Sequence, residues 1–94
     1  MPIVGAAVLH EFGVAHGDVS RQLNTWLTLV RQAHWRSLLD VRLIYPQADY
    51  VKPHTVFNIK GNMYRLITII DYGEQKISVV RCLTHADYDR EGWK

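Results

Sequence analysis

The stretch Thr55-Val-Phe-Asn-Ile-Lys-Gly-Asn-Met-Tyr-Arg-Leu-Ile-Thr-Ile-Ile-Asp71 constrains the fold more than any other, because two strongly β-prone runs flank a polar turn. It reads as a hairpin. Gly61-Asn62 accepts positive φ at both positions, and aromatic and β-branched residues lead in and out of it. With Gly61 and Asn62 as the whole loop, Lys60 faces Met63, Ile59 faces Tyr64 and Asn58 faces Arg65, so Asn58, Lys60 and Arg65 share one face of the ladder. Farther from the turn that face becomes apolar through Val56, Ile67 and Ile69.

Upstream, Met1 to Val4 is expected to form a short edge strand, and a helix from about Ala6 to His16 buries Val8, Leu9 and Phe12. Gly17 ends that helix. Asp18 is the expected N-cap of a second helix, whose apolar face is Val19, Leu23, Trp26, Leu27 and Val30. A third runs from about Trp35 or Ser37 to Ile44, burying Leu38, Leu39 and Leu43, and stops before Pro46. Gln47 to Pro53 reads as a loop. A second hairpin follows through Tyr72-Gly73-Glu74-Gln75 into a strand from Lys76 to Thr84; a three-residue loop, Gly73 to Gln75, puts Arg81 opposite Ile67 on the Arg65 face. Thr84 with Asp87 three residues on predicts a single turn of helix in the tail. Helices first and an antiparallel sheet afterwards give an α+β fold, with the helices on one face of the sheet.

Ninety-four residues make a single domain, residues 1–94, with no room for a second core. The formal charge is only +2, but its distribution matters. Residues 1–50 are balanced, whereas 52–81 carry Lys52, Lys60, Arg65, Lys76 and Arg81 against Asp71 and Glu74, so the positive excess lies on the strands. The single cysteine, Cys82, excludes an internal disulfide and suits a reducing cytoplasm. Ile3 to Leu9 lacks a basic leader and is too short for a membrane span.

His85 and Tyr88, three apart in the tail, point the same way on a helical turn. Imidazole exchanges protons near neutral pH, and a phenol gives or takes a hydrogen bond or a proton. Together with Lys60, Arg65 and Arg81 they supply the parts for RNA cleavage without a metal: a base for the 2′-hydroxyl, cations for the phosphorane, and an acid for the leaving 5′-oxygen. The structural alternative has His85 capping the helix and Tyr88 packing on the sheet edge. Lys52, His54, Asn58, Asn62, Lys76, Trp93 and Lys94 are candidate RNA contacts, Trp93 as a platform for a base. No metal site is expected: Cys82 and His85 lack a second pair, and Asp87, Asp89 and Glu91 beside Arg90 form a poor cage. No cofactor-binding glycine loop is present.

Several separated motifs occur in an order that resembles the HigB-type toxins of bacterial type II toxin-antitoxin modules, within the RelE/ParE superfamily. They are Trp26-x-x-Leu29-Val30-x-x-Ala33-x-Trp35, Asp40-Val41-Arg42, Tyr45-Pro46-x-Ala48-Asp49, Val56-Phe-Asn-Ile-x-Gly-Asn-x-Tyr-Arg-Leu-Ile67, and Thr84-His-Ala-x-Tyr-Asp89 with Trp93. The resemblance runs from about Ser20 to the end. It implies a RelE-like fold and a ribosome-dependent mRNA interferase acting at the A site. It also implies a partner, a HigA-type helix-turn-helix antitoxin through which alone operator DNA is contacted. Lys60, Arg65 and Arg81 match the strand cations of the family, and His85 with Tyr88 the C-terminal pair. Two other readings remain open: a ParE-type toxin acting on a protein target such as gyrase, and a non-catalytic RNA-binding domain.

Overall fold

The computed structural model describes residues 1–90 and Trp93. Strand β1 (Ile3–Val4) leads into helix α1 (Ala6–Ala15), a 3₁₀ turn (Gly17–Val19) and helix α2 (Ser20–Gln32). Helix α3 (Leu38–Ile44) is followed by β2 (Asp49–Val51), β3 (His54–Ile59), β4 (Tyr64–Asp71), β5 (Lys76–Thr84) and a short helix α4 (His85–Asp89). The sheet order is β1-β5-β4-β3-β2, antiparallel throughout except where β1 lies parallel to β5 along one edge. The fold is the α+β arrangement expected, with one parallel edge added.

Helices α1, α2 and α3 cover a single face. Leu9 from α1 and Leu23, Trp26, Leu27 and Val30 from α2 pack onto Phe57, Ile59, Tyr64, Leu66, Ile77, Val79 and Cys82 of the sheet. Trp26 and Tyr45 meet the Phe57 ring edge-on. The Met1 amino group donates to the carbonyl oxygens of Val30, Arg31 and Ala33 at the end of α2, where Val30 also accepts from the Ala33 N–H. Gly5 starts α1 with φ 85°, and a Cβ there would stand 2.9 Å from the Val79 carbonyl oxygen, so the close passage of this corner over β5 requires glycine.

Four local expectations are corrected. Gln47 to Pro53 is not all loop, because Asp49–Val51 adds an edge strand to β3. Helix α3 turns its Leu38 and Val41 side inward, and Leu39 and Leu43, one turn apart on the other side, are 76% and 82% exposed. Asp18 does not cap α2 through its side chain, which is engaged elsewhere. In the first hairpin Ile59 pairs with Tyr64 and Asn58 with Arg65, as expected, but the connection is the four residues 60–63, and the left-handed residues are Lys60 and Gly61 rather than Gly61 and Asn62.

Candidate active site

Against the expectation of one core, the sheet face away from the main helices carries a second, smaller one: Val56, Ile67 and Leu83, roofed by the tail through Trp93. Arg65 meets the tail at its edge. Arg65 lies opposite Leu83, and Arg81 opposite Ile67, so the two arginines are diagonal neighbours on this face, with roughly 7–8 Å expected between their Cα atoms. The second hairpin reaches this arrangement by an unexpected route. Its loop is the four residues between Asp71 and Lys76, which alone would turn Arg81 away, but the register shifts by one between Ile67 and Thr68, with Val80 as the extra residue on β5. That β-bulge restores Arg81 to the Arg65 face.

Arg65 is held on two sides. Its Nη1 donates to the Asn62 carbonyl oxygen at 3.1 Å and the Tyr64 carbonyl oxygen at 3.3 Å, and Nη2 reaches Asn62 Oδ1 at 3.4 Å. Its guanidinium carbon lies 5.5 Å from the centroid of the Tyr88 ring, in cation–π range. Tyr88 in turn stacks on Trp93, the centroids 5.0 Å apart, and the Trp93 indole N–H donates to the Tyr88 carbonyl. Arg81 is exposed, and its side chain forms no hydrogen bond or ion pair among the described residues.

The tail is attached at its first residue. The His85 backbone N–H donates to the Met63 carbonyl oxygen at 2.9 Å, prolonging the β4–β5 ladder, and Thr84 Oγ1 caps α4 by accepting from the Asp87 N–H. His85 Nδ1 lies 2.8 Å from Asp89 Oδ2 one turn on. A carboxylate on Nδ1 orients the ring and leaves Nε2 as the atom for proton exchange. Asp89 was missed as a partner of His85, although its i, i+4 spacing carried the signal.

Lys60 requires a correction. Its left-handed backbone breaks the strand alternation, and Nζ is 2.9 Å from Asp18 Oδ2, so it does not share the Arg65 face but ties the turn to the helix layer. The Tyr64 hydroxyl donates to the same carboxylate at 2.9 and 3.0 Å. Lys60 foremost, and Tyr64 next, hold the Asp18 carboxyl below its usual range, while the hydrogen bond to Asp18, with burial, pushes the Tyr64 phenol up.

The other candidates separate. Asn62 serves Arg65, and the Asn58 amide donates to Gln47 Oε1 at 2.8 Å. His54 lies edge-on to Trp93. Lys52 is exposed in the turn before β3, and Lys76 faces Asp71 at the far end of β5, about 17 Å along the strand from Arg81. Trp93 is 9% exposed with Tyr88 against its face, so it is a core residue of the tail and not an open platform for a base. Lys94 and Glu91 fall outside the described residues. Among the described residues, no three His, Cys, Asp or Glu side chains come together as a metal site requires, and no helix is long and apolar enough to cross a membrane. Burial pushes the Cys82 thiol up to about 12.

Comparison with known proteins gives the family. The model of the HigB toxin family, described as the RelE-like toxic component of a toxin-antitoxin system, matches residues 19–91. The chain is 25% identical over 63 residues to the mRNA interferase toxin HigB of Escherichia coli (strain K12), and equally so to the mRNA interferases HigB of Escherichia coli O157:H7 and Shigella flexneri. Each match covers 64% of this chain and 61% of the relative, so the chain spans about three fifths of the length of these relatives.

Proposed function

The chain belongs to the HigB toxin family of RelE-like toxic components of toxin-antitoxin systems, and from that premise we propose that it is an endoribonuclease that cuts mRNA on the ribosome. The observation that carries the proposal is the joining of Arg65, Tyr88 and the His85–Asp89 pair at one edge of the open sheet face, with Arg81 diagonal to Arg65. Arg65 and Arg81 neutralise the phosphate and the extra charge of the pentavalent intermediate. The 2′-oxygen forms a bond to phosphorus as its proton passes to a base. The bond from phosphorus to the 5′-oxygen breaks as an acid returns a proton to that oxygen.

His85 through Nε2 and Tyr88 through its hydroxyl divide this proton traffic. Asp89, 2.8 Å from Nδ1, orients the imidazole. Lys60 acts through the turn it anchors. Names of the relatives support the choice of mRNA, since all three are called mRNA interferases. Translating ribosomes present that mRNA at the A site, and a helix-turn-helix antitoxin of the HigA type silences the toxin and carries it to operator DNA.

The test is the end chemistry of mRNA fragments made by purified protein on translating ribosomes. Expected are a 2′,3′-cyclic phosphate or its hydrolysed 3′-phosphate upstream, a free 5′-hydroxyl downstream, and no cut where the 2′-hydroxyl is replaced by hydrogen. His85→Ala and Tyr88→Phe should each lower cleavage by about 10² to 10⁴ with the fold intact. A downstream 5′-phosphate sinks the mechanism. Intact mRNA with failing DNA supercoiling would move the target to gyrase.

A further inference from the structure

The turn between β3 and β4 has an exacting conformation and more than one dependant. Lys60 and Gly61 both hold left-handed geometry, with φ 54° and 63°. For lysine that geometry is disfavoured, so surrounding contacts must hold it. Within the turn, the Met63 N–H reaches the Lys60 carbonyl oxygen only at 3.3 Å, a long bond. The firm contacts come from outside, where Asp18 accepts from Lys60 Nζ at 2.9 Å with one oxygen and from the Tyr64 hydroxyl with both. One carboxylate thus clamps the turn at its first residue and at the residue just after it.

Between those two points lie the atoms that position the candidate site. The Asn62 carbonyl and side-chain oxygens accept from Arg65, and the Met63 carbonyl oxygen accepts the His85 N–H that starts the tail. Asp18 itself lies on the other side of the sheet, in the 3₁₀ turn between α1 and α2, beside the Phe12 and His16 rings that meet Tyr64 edge-on. It stands one residue before the segment that matches the family. We propose that Asp18 is a positioning residue: by clamping Lys60 and Tyr64 it fixes the 60–63 turn, and the turn fixes Arg65 and the attachment of the tail at His85.

An isolated, half-exposed ion pair would do little, since such pairs are screened and flexible. Here the carboxylate has two different partners four residues apart. Its effect is therefore geometric: with Asp18 gone, Lys60 is free to leave the left-handed region and the limb carrying Asn62 and Met63 shifts with it. A displacement of about 1 Å in a catalytic group can cost about 10² in rate.

This inference rests on the nuclease reading for its kinetic arm only. In Asp18→Asn, nearly the same shape without the charge, amide exchange at His85 should quicken by at least about tenfold while Phe57 and Leu66 keep their protection. On ribosomes kcat should fall by at least about tenfold with KM changed less than about threefold. Asp18→Glu should restore both, and Tyr64→Phe added to Asp18→Asn should lose little more, because both act through one clamp. Unchanged exchange at His85 in Asp18→Asn overturns the proposal. So does faster exchange with full kcat, which makes the contact structural only, and so does faster cleavage, which makes Asp18 a restraint on Lys60. Exchange is read without RNA, so a wild-type protein that cuts nothing refutes the nuclease reading while the exchange result still decides what Asp18 holds.

Discussion

Replacing Trp93 with alanine tests whether the tail is held as the structure describes. The indole lies over Val56, Ile67 and Leu83, stacks on Tyr88, meets His54 edge-on and donates one hydrogen bond to the Tyr88 carbonyl. An aromatic side chain buries about 150–250 Å². At about 25 cal/mol per Å² that is worth about 4–6 kcal/mol. Against this stands the entropy of ordering the tail, about 1–2 kcal/mol for each residue whose backbone is fixed. A loss of about 3 kcal/mol is therefore expected for Trp93→Ala, at the low end of the cost of truncating a core aromatic. In a domain of this size each kcal/mol moves Tm by about 4–8 °C, so the melt should drop by about 12–24 °C. Trp93→Phe, which keeps a ring but not the donor, should lose only about 1 kcal/mol. Urea melts give the stabilities, and cleavage on ribosomes gives the function, which should fall because Tyr88, the ring under Arg65, loses its own support. A Trp93→Ala protein within about 1 kcal/mol of wild type would refute the packing argument. If that protein also lost RNA binding alone, Trp93 would be the base platform that its position in the sequence first suggested.

Three further outcomes follow from the same geometry. The Asp18 carboxyl is held low, by Lys60 first and Tyr64 second, so its contribution is complete above its unfolded value near pH 4 and is lost as pH falls through the depressed folded value; the stability gap between wild type and Asp18→Asn should close toward pH 2, and a constant gap would refute the clamp. Ribosome or RNA binding should weaken with salt, and Arg81→Ala should make the slope shallower by about 0.7, one phosphate contact, whereas Lys76→Ala at the far end of β5 should not; equal effects would place RNA along the whole strand. Cys82 is buried with its thiol pushed up to about 12, so a thiol reagent at pH 8 should label it only after unfolding, and rapid labelling of the native protein would mean that β5 opens.

What was legible in the chain was local. The i, i+4, i+7 stripe of α2 and the β-branched run of β4 gave their elements directly, and the pairing of Asn58 with Arg65 survived an error about the turn because a longer loop centred on the same dipeptide keeps the same register. Helix α3 failed because its apolar residues lie on more than one side, and seven residues offer too few turns for periodicity to choose between Val41 and the Leu39–Leu43 pair. Strand β2 failed because three residues at an edge carry no period. The candidate site divided in the same way: Arg65, His85 and Tyr88 follow from strand and helix spacing, whereas Arg81 reaches its face only through the bulge in β5. The turning of Lys60 toward Asp18 does not follow from spacing, since the partners are 42 positions apart and the reason is a backbone angle.

The bulge at Val80 shows where a deeper reading of the sequence was available. Along β4 the residues facing the helices alternate without interruption from Tyr64 through Leu66 and Thr68 to Ile70, whereas on β5 Ile77 and Val79 face the helices and the next to do so is Cys82. The alternation slips by one between Val79 and Cys82. Two paired strands cannot keep different phases, so the extra residue must leave the ladder, and Val80, able to add apolar surface to the smaller core, is the one that does. Without the slip Arg81 would fall opposite Leu66 and put a guanidinium under the helices beside Phe57, a burial that no carboxylate there would offset. The pattern that keeps the main core apolar is therefore the same pattern that delivers Arg81 to the open face beside Arg65. Core packing and the cationic edge are set by one irregularity in one strand, and for that reason an incorrect loop length still led to the correct face.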